Sequence, residues 1–230
     1  FCNDDLAQGA LLAALLMYFF LRTIELAALP SLRGSLPRRL GASEEPEPDT
    51  RGDRHPRRPD RRPVRLAHAV LNSHDVETTR RFLGQVLDFS LADRTRIMAF
   101  MRCNDDHHSL ALGDTDNDAL NHIAFLMPDL ESVMRGGGRM KDAGYSIEWG
   151  PGRHGPGNNA FNYFIGPFEV VIEYTAEVEQ VDDSYQAGQP SDWTWPPGRV
   201  DQWGISQPPS ARLKEAQRAV VFAPARSGHV

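Results

Sequence analysis

RLAHAVLNSHDVETT, residues 65–79, and ALNHIAFLMPDLESV, residues 119–133, decide how this chain is read. His68, Asp75, Glu77 and Gly84 each recur 54 positions later, as His122, Asp129, Glu131 and Gly138. Each copy reads as a strand around its histidine, an aspartate suited to capping, and then a helix. After Asp75, the residues Val76, Thr79, Phe82, Leu83, Val86 and Leu87 keep helical spacing. After Asp129, Leu130, Val133 and Met134 do the same, and Gly144 is placed to end the helix. The glycine run at 136–138 weakens the middle of that second helix.

Shorter strand-like runs follow each helix: residues 90–95, 97–103 and 108–112 in the first copy, and 145–149, 160–165 and 170–175 in the second. Strand, helix and three strands, given twice, predict an α+β fold. Paired βαβββ modules would form one cupped, mixed and mainly antiparallel sheet around a cleft, with the helices outside. The modules fall at 64–120 and 121–177, between an atypical segment 1–63 and a tail 178–230.

Strand alternation puts Leu66, His68 and Val70 on one face, His122 with Ala124, and Val171 with Glu173 and Thr175. A lone histidine on an apolar strand is usually a hydrogen-bonded core residue, and a half-buried glutamate usually pairs with an arginine. The duplication changes that balance. Both histidines hold the same place in their copies, so a two-fold arrangement brings them together at the axis, and Glu173 lies on the last strand of copy two. Two imidazoles and one carboxylate are the ligands of a facial triad, which holds a divalent iron on one side and stays open to substrate and dioxygen on the other.

The 230 residues are 40% hydrophobic, enough for one good core with extensions. A net charge of −6 and a pI near 5.7 give no global reason to expect nucleic acid. Cys2 and Cys103 are too few and too distant for a disulfide scaffold, which fits a reducing cytoplasm, and Cys103 is read as a small buried apolar group. The chain begins at Phe1 rather than methionine, the expectation for a fragment. The apolar run at 10–21 is shorter than the ~20 residues that cross a bilayer. Asp4 and Asp5 precede it, so a short buried or interfacial helix is expected, with no stable membrane insertion.

Residues 30–63 are rich in Pro, Arg, Gly and Glu. Without interleaved aromatics, their arginines read as a solvated, disordered linker rather than an RNA-binding arm. In the tail, Trp193, Trp195 and Trp203 are expected to avoid water by closing the cleft mouth or filling a subunit interface, and residues 212–221 to form a short helix. His55, His74 and His229 are taken as surface residues.

The stretch GPGRHGPGNNAFNYFIGPFEVVIEYTAE, residues 150–177, places His154, Tyr163 and Glu173 nine and ten residues apart. Together with LAH at His68, CNDDHHSL at 103–110 and NHIAF at 121–125, it resembles the type I extradiol ring-cleaving dioxygenases of the vicinal oxygen chelate superfamily, over about residues 64–185. The resemblance implies that His68, His122 and Glu173 bind Fe(II), less often Mn(II). It also implies supporting roles for His154, for Tyr163 and for one histidine of the His107–His108 pair. His108 is preferred because Ser109 and Leu110 follow it, with His107 as the alternative.

The implied substrates are dioxygen and a catechol, substituted catechol or dihydroxybiphenyl, with His108 moving the proton, Tyr163 and His154 holding the diol, and Trp149 as a pocket aromatic. A homo-oligomer is expected. Family members usually carry a non-catalytic double module ahead of the catalytic one, and residues 1–63 do not resemble it. The rival readings are a glyoxalase-like isomerase and a small-molecule binding or resistance protein of the same superfamily. An isomerase needs a fourth ligand on the last strand of copy one, but HSLALG offers no carboxylate before Asp114, and a binding protein needs no triad.

Overall fold

A computed structural model describes residues 62–222; the expected apolar helix at 10–21, nearly all of the linker, His55 and His229 lie outside them. Strand β1 (Arg65–Ser73) leads into α1 (Val76–Leu87), then β2 (Ser90–Arg94), β3 (Met98–Arg102) and β4 (Leu110–Asp114). The second copy repeats this order as β5 (Ala119–Leu126), α2 (Leu130–Asp142), β6 (Trp149–Arg153), β7 (Ala160–Ile165) and β8 (Val171–Ala176). The tail adds α3 (Ala211–Ala216) and β9 (Val220–Val221). One nine-stranded mixed sheet results, in the order β2-β3-β4-β1-β5-β8-β7-β6, with β9 paired to β5.

The two copies join where β1 and β5 pair antiparallel, whereas β1–β4 and β5–β8 are parallel. The βαβββ modules and the mixed α+β sheet are therefore as expected. Capping acts at both helix starts: the Asp75 side chain accepts the Thr78 N–H at 3.0 Å, and Asp129 accepts the Ser132 N–H at 2.8 Å. Gly144, just past α2, has φ +89°, a left-handed conformation that glycine adopts without strain.

Alternation along β7 and β8 separates two chemistries. Asn162, Phe164 and Tyr174 face α2; Phe161, Tyr163 and Val171 face the other way, where Leu213 and Ala216 of α3 pack on them. The glycine run does not break α2, because it serves the contact with the sheet. A Cβ on Gly136 would lie 2.7 Å from the Tyr174 ring, so only glycine lets the helix approach this closely.

Several expectations are corrected. Residues 145–148 are not a strand; β6 begins at Trp149 and runs to Arg153, with a register irregularity between Trp149 and Gly152. As an edge strand it tolerates Pro151, which has no N–H to donate. β4 begins at Leu110 rather than His108, and just ahead of it the His107 N–H bonds the tail at Glu179 O. The final helix is short and gives way to β9. Val86 and Leu87, in phase with the buried Val76 and Leu83, are exposed at the end of α1. Cys103 is exposed in the β3–β4 loop, where its thiol lies 3.4 Å from Ser109 Oγ.

Candidate metal centre

β1, β5 and β8 are neighbours at the middle of the sheet, and each carries one of the three triad residues. Ala124 on β5 stands opposite both His68 on β1 and Glu173 on β8, and His122 lies two residues away on the same face. Glu173 Oε2 is 3.2 Å from His68 Nε2 and 3.2 Å from His122 Nε2. All three side chains are buried, and one ligand atom from each lies within 4.8 Å of the others.

Other groups fix their orientation. Asn159 Nδ2 donates to Glu173 Oε1 at 3.2 Å and to Thr175 Oγ1 at 2.7 Å. His122 Nδ1 is 2.8 Å from Asn121 Oδ1, a contact that fixes the ring with Nε2 turned toward the carboxylate. Asn121 is held in turn, its Nδ2 donating to Asn72 Oδ1 at 2.8 Å.

Around the triad stand the other residues singled out in the sequence. The His108 ring centre is 4.3 Å from that of His68, and a Cβ on Gly157 would lie 2.9 Å from the His108 ring, so the backbone of the 155–159 loop closes on this imidazole. His107, its neighbour, is turned away toward Asp93, 2.7 Å from Nε2. Tyr163 Oη is 3.1 Å from His154 Nε2 and 3.5 Å from His122 Nε2, and His154 Nε2 is 3.8 Å from Glu173 Oε1. Trp149 backs this pair, its ring 5.0 Å from Tyr163 and 5.3 Å from His154.

The tail reaches the same place. Glu179 N–H bonds Gly157 O and Glu179 O accepts the His107 N–H, so one residue ties together the loops bearing His108 and His154. Further on, Trp193 and Trp195 pack against Gly155 and, with Gln202, line a recess of about 190 Å³ beside it. Trp195 and Trp203 remain 41% and 37% exposed, which corrects the expectation that all three tryptophans leave water. Trp203 instead lies under Arg153, 5.2 Å from its guanidinium.

Burial sets the protonation states. It pushes His122 below the usual imidazole value, outweighing the bond to Glu173, and pushes His154 down to about 4. His108 is driven well down by burial and then by the neighbouring imidazoles of His68 and His107. For Glu173, burial alone would raise the value. The imidazole of His68 and the bonds from His122 and His68 outweigh it and hold the carboxyl well below the usual range.

Two imidazoles beside a carboxylate, all buried, make a donor set suited to a divalent cation. Glu173 Oε2 is 3.2 Å from each histidine Nε2 and all three ligand atoms fall within 4.8 Å of one another, near enough to share one cation. The residues fit a metal. Of the groups assembled at this site, Asn159, Asn121, Asp93 and Gly157 were not singled out from the sequence; they lie on neighbouring strands or loops and carry no spacing signal of their own.

A buried His-His-Glu set on the central strands of a duplicated βαβββ sheet defines a metal-binding double module. Residues 65–174 match the Glyoxalase/Bleomycin resistance protein/Dioxygenase superfamily. Metapyrocatechase 2 of Cupriavidus necator is 33% identical over 155 residues, covering 64% of this chain and 46% of that protein. The Mn(II)-bound glyoxalase of Novosphingobium aromaticivorans superposes with a TM-score of 0.58 at 41% identity, over 63% of this chain and 48% of that one. An extradiol ring-cleaving dioxygenase from B. fuscum superposes with a TM-score of 0.54 at 25% identity, over 62% and 41%. The chain spans about half the length, or less, of the curated relatives it matches.

Proposed function

We propose that this chain carries the catalytic domain of a non-haem, Fe(II)-dependent extradiol dioxygenase, which opens the ring of a catechol-type substrate beside its diol and inserts both atoms of O₂. The observation that carries this reading is the meeting of His68, His122 and Glu173 within reach of His108, His154 and Tyr163. Bound there, Fe(II), or Mn(II) in its place, would bring diol and dioxygen together and lower the pKa of the diol hydroxyls.

The chain's own groups do the rest. Tyr163 is held protonated, since burial and then the charge of Glu173 raise its hydroxyl well above the ordinary value, and it donates to a diol oxygen. His154, neutral by burial, bonds the substrate beside it. His108 takes a proton from the diol and returns it to the ring-opened product, a role worth about 10²–10⁴ in rate. Trp149 supplies an apolar wall behind Tyr163 and His154, which favours an apolar ring over a carboxylated one.

An isomerase is the second reading, favoured by the glyoxalase likeness. It would want a fourth ligand where copy one matches Glu173. Strand register makes that position Ala111, which stands opposite Val70 as Glu173 stands opposite Ala124. Three ligands favour oxygen chemistry. The test is to load the protein anaerobically with Fe(II) and then add a panel of substituted catechols in air. A rise in visible absorbance from a yellow muconic-semialdehyde-type product is expected with at least one, and no rise from iron-loaded protein with any of them overturns the proposal.

A further inference from the structure

Asp93 and His107 are fully buried charged or titratable groups that the chemistry above leaves unused. Asp93 Oδ1 accepts the Gly188 N–H at 2.6 Å, and Tyr185 Oη donates to Oδ2 at 3.3 Å. Oδ2 also lies 2.7 Å from His107 Nε2, and His107 Nδ1 lies 3.0 Å from His108 Nδ1. Building on the function proposed above, we propose that Asp93 and His107 are positioning residues that fix the tautomer of His108 and present its bare Nε2 to the cleft.

The order of protons follows from one end. The backbone N–H and the tyrosine hydroxyl both donate to Asp93, which marks it as an acceptor, so His107 Nε2 must carry a hydrogen to stand 2.7 Å away. A neutral imidazole has one N–H, which leaves His107 Nδ1 with its lone pair. His108 Nδ1 is therefore the donor in the 3.0 Å contact, and its hydrogen is spent there. His108 Nε2 is left bare, and among the described residues no group bonds it. A proton taken there from the diol makes an imidazolium that still donates through Nδ1 to His107, whose own N–H points at the Asp93 carboxylate. The developing charge is thus stabilised without moving a heavy atom. The tail builds this arrangement: Tyr185 and Gly188 hold Asp93, and Glu179 O holds the His107 N–H.

Long-range ¹⁵N–¹H NMR of the full chain, loaded with diamagnetic Zn(II), reads the tautomers directly. His107 protonated at Nε2 and His108 at Nδ1 are expected. A doubly protonated His107, or His108 carrying its hydrogen on Nε2, overturns the proposal. In Asp93→Asn, Gly188 keeps the amide oxygen, so the NH₂ faces His107 and both imidazoles should switch tautomer; an unchanged His108 also overturns it.

With Fe(II), that variant should lose about 10²-fold or more in kcat while KM and bound iron stay within about threefold. Loss of iron or of folding in step with kcat would make Asp93 merely structural. Should the iron-loaded wild type open no catechol, the functional proposal fails by itself, and the NMR result still decides this one.

Discussion

The two βαβββ copies share a path and differ in what they bring to it. Copy one supplies His68 from its first strand, an alanine where copy two has Glu173, and the His107–His108 pair from the loop before its last strand. Copy two supplies His122, Glu173, His154 and Tyr163. Duplication explains the symmetric half of the site, two imidazoles meeting at the β1–β5 seam. On the function proposed above, the asymmetric half carries the chemistry, because a single carboxylate would make three ligands and leave one side of the pocket for reactants.

The sharpest way to break that comparison is to make the copies alike. Glu173→Ala removes the only carboxylate in the set and should abolish stoichiometric iron or manganese binding, measured by elemental analysis of protein loaded without oxygen. Retained metal at one per chain would show that the imidazoles hold it without the carboxylate. A smaller effect is expected from Asn159→Ala, which leaves Glu173 in place but removes the donor that orients it. Metal affinity should fall about 10–100-fold, read by competition with a chelating dye.

The helices sharpen the contrast at the level of folding. Gly136→Ala puts a methyl 2.7 Å from Tyr174 and should cost about 1–3 kcal/mol in chemical denaturation. Gly138→Ala, whose Cβ meets nothing within 4 Å, should stabilise by about 0.4–1 kcal/mol. Equal effects at the two positions would refute the close-approach explanation of the α2 glycines.

A local effect concerns the cap of α1. Asp75→Ala should cost about 1 kcal/mol near pH 7. The Thr78 N–H holds the Asp75 carboxyl below its ordinary 3.8, so the cap's stabilisation is present above that value and lost as pH falls through the lower folded value. The difference in Tm between variant and wild type should therefore shrink at acid pH, and a constant gap down to pH ~2 would remove the charge from the explanation.

Much of the fold was readable because the signals were local and came twice. The 54-residue offset, the capping aspartates and the β-branched and aromatic runs are statements about neighbours in sequence, and periodicity reports them. β6 was misplaced because its GPG core has no strand propensity; partners on β7 hold it at the sheet edge. The α2 glycines argue against a helix when taken alone, and only the close approach of the Tyr174 ring to Gly136 and of Asn162 to Gly137 reverses that reading. Exposure was the least legible property, as Cys103 and Trp195 show, because it depends on what the rest of the chain covers.

By itself the sequence determined the repeat, the strands that carry His68, His122 and Glu173, and the spacing of His154, Tyr163 and Glu173, since each follows from chain order and side-chain alternation. Only the tertiary structure decided that Asp93, Asn121 and Asn159 support the site, and which way each of the two adjacent histidines turns. Those choices depend on hydrogen bonds between residues distant in sequence, up to the 95 positions separating Asp93 from Gly188, and no local pattern encodes a partner that far away.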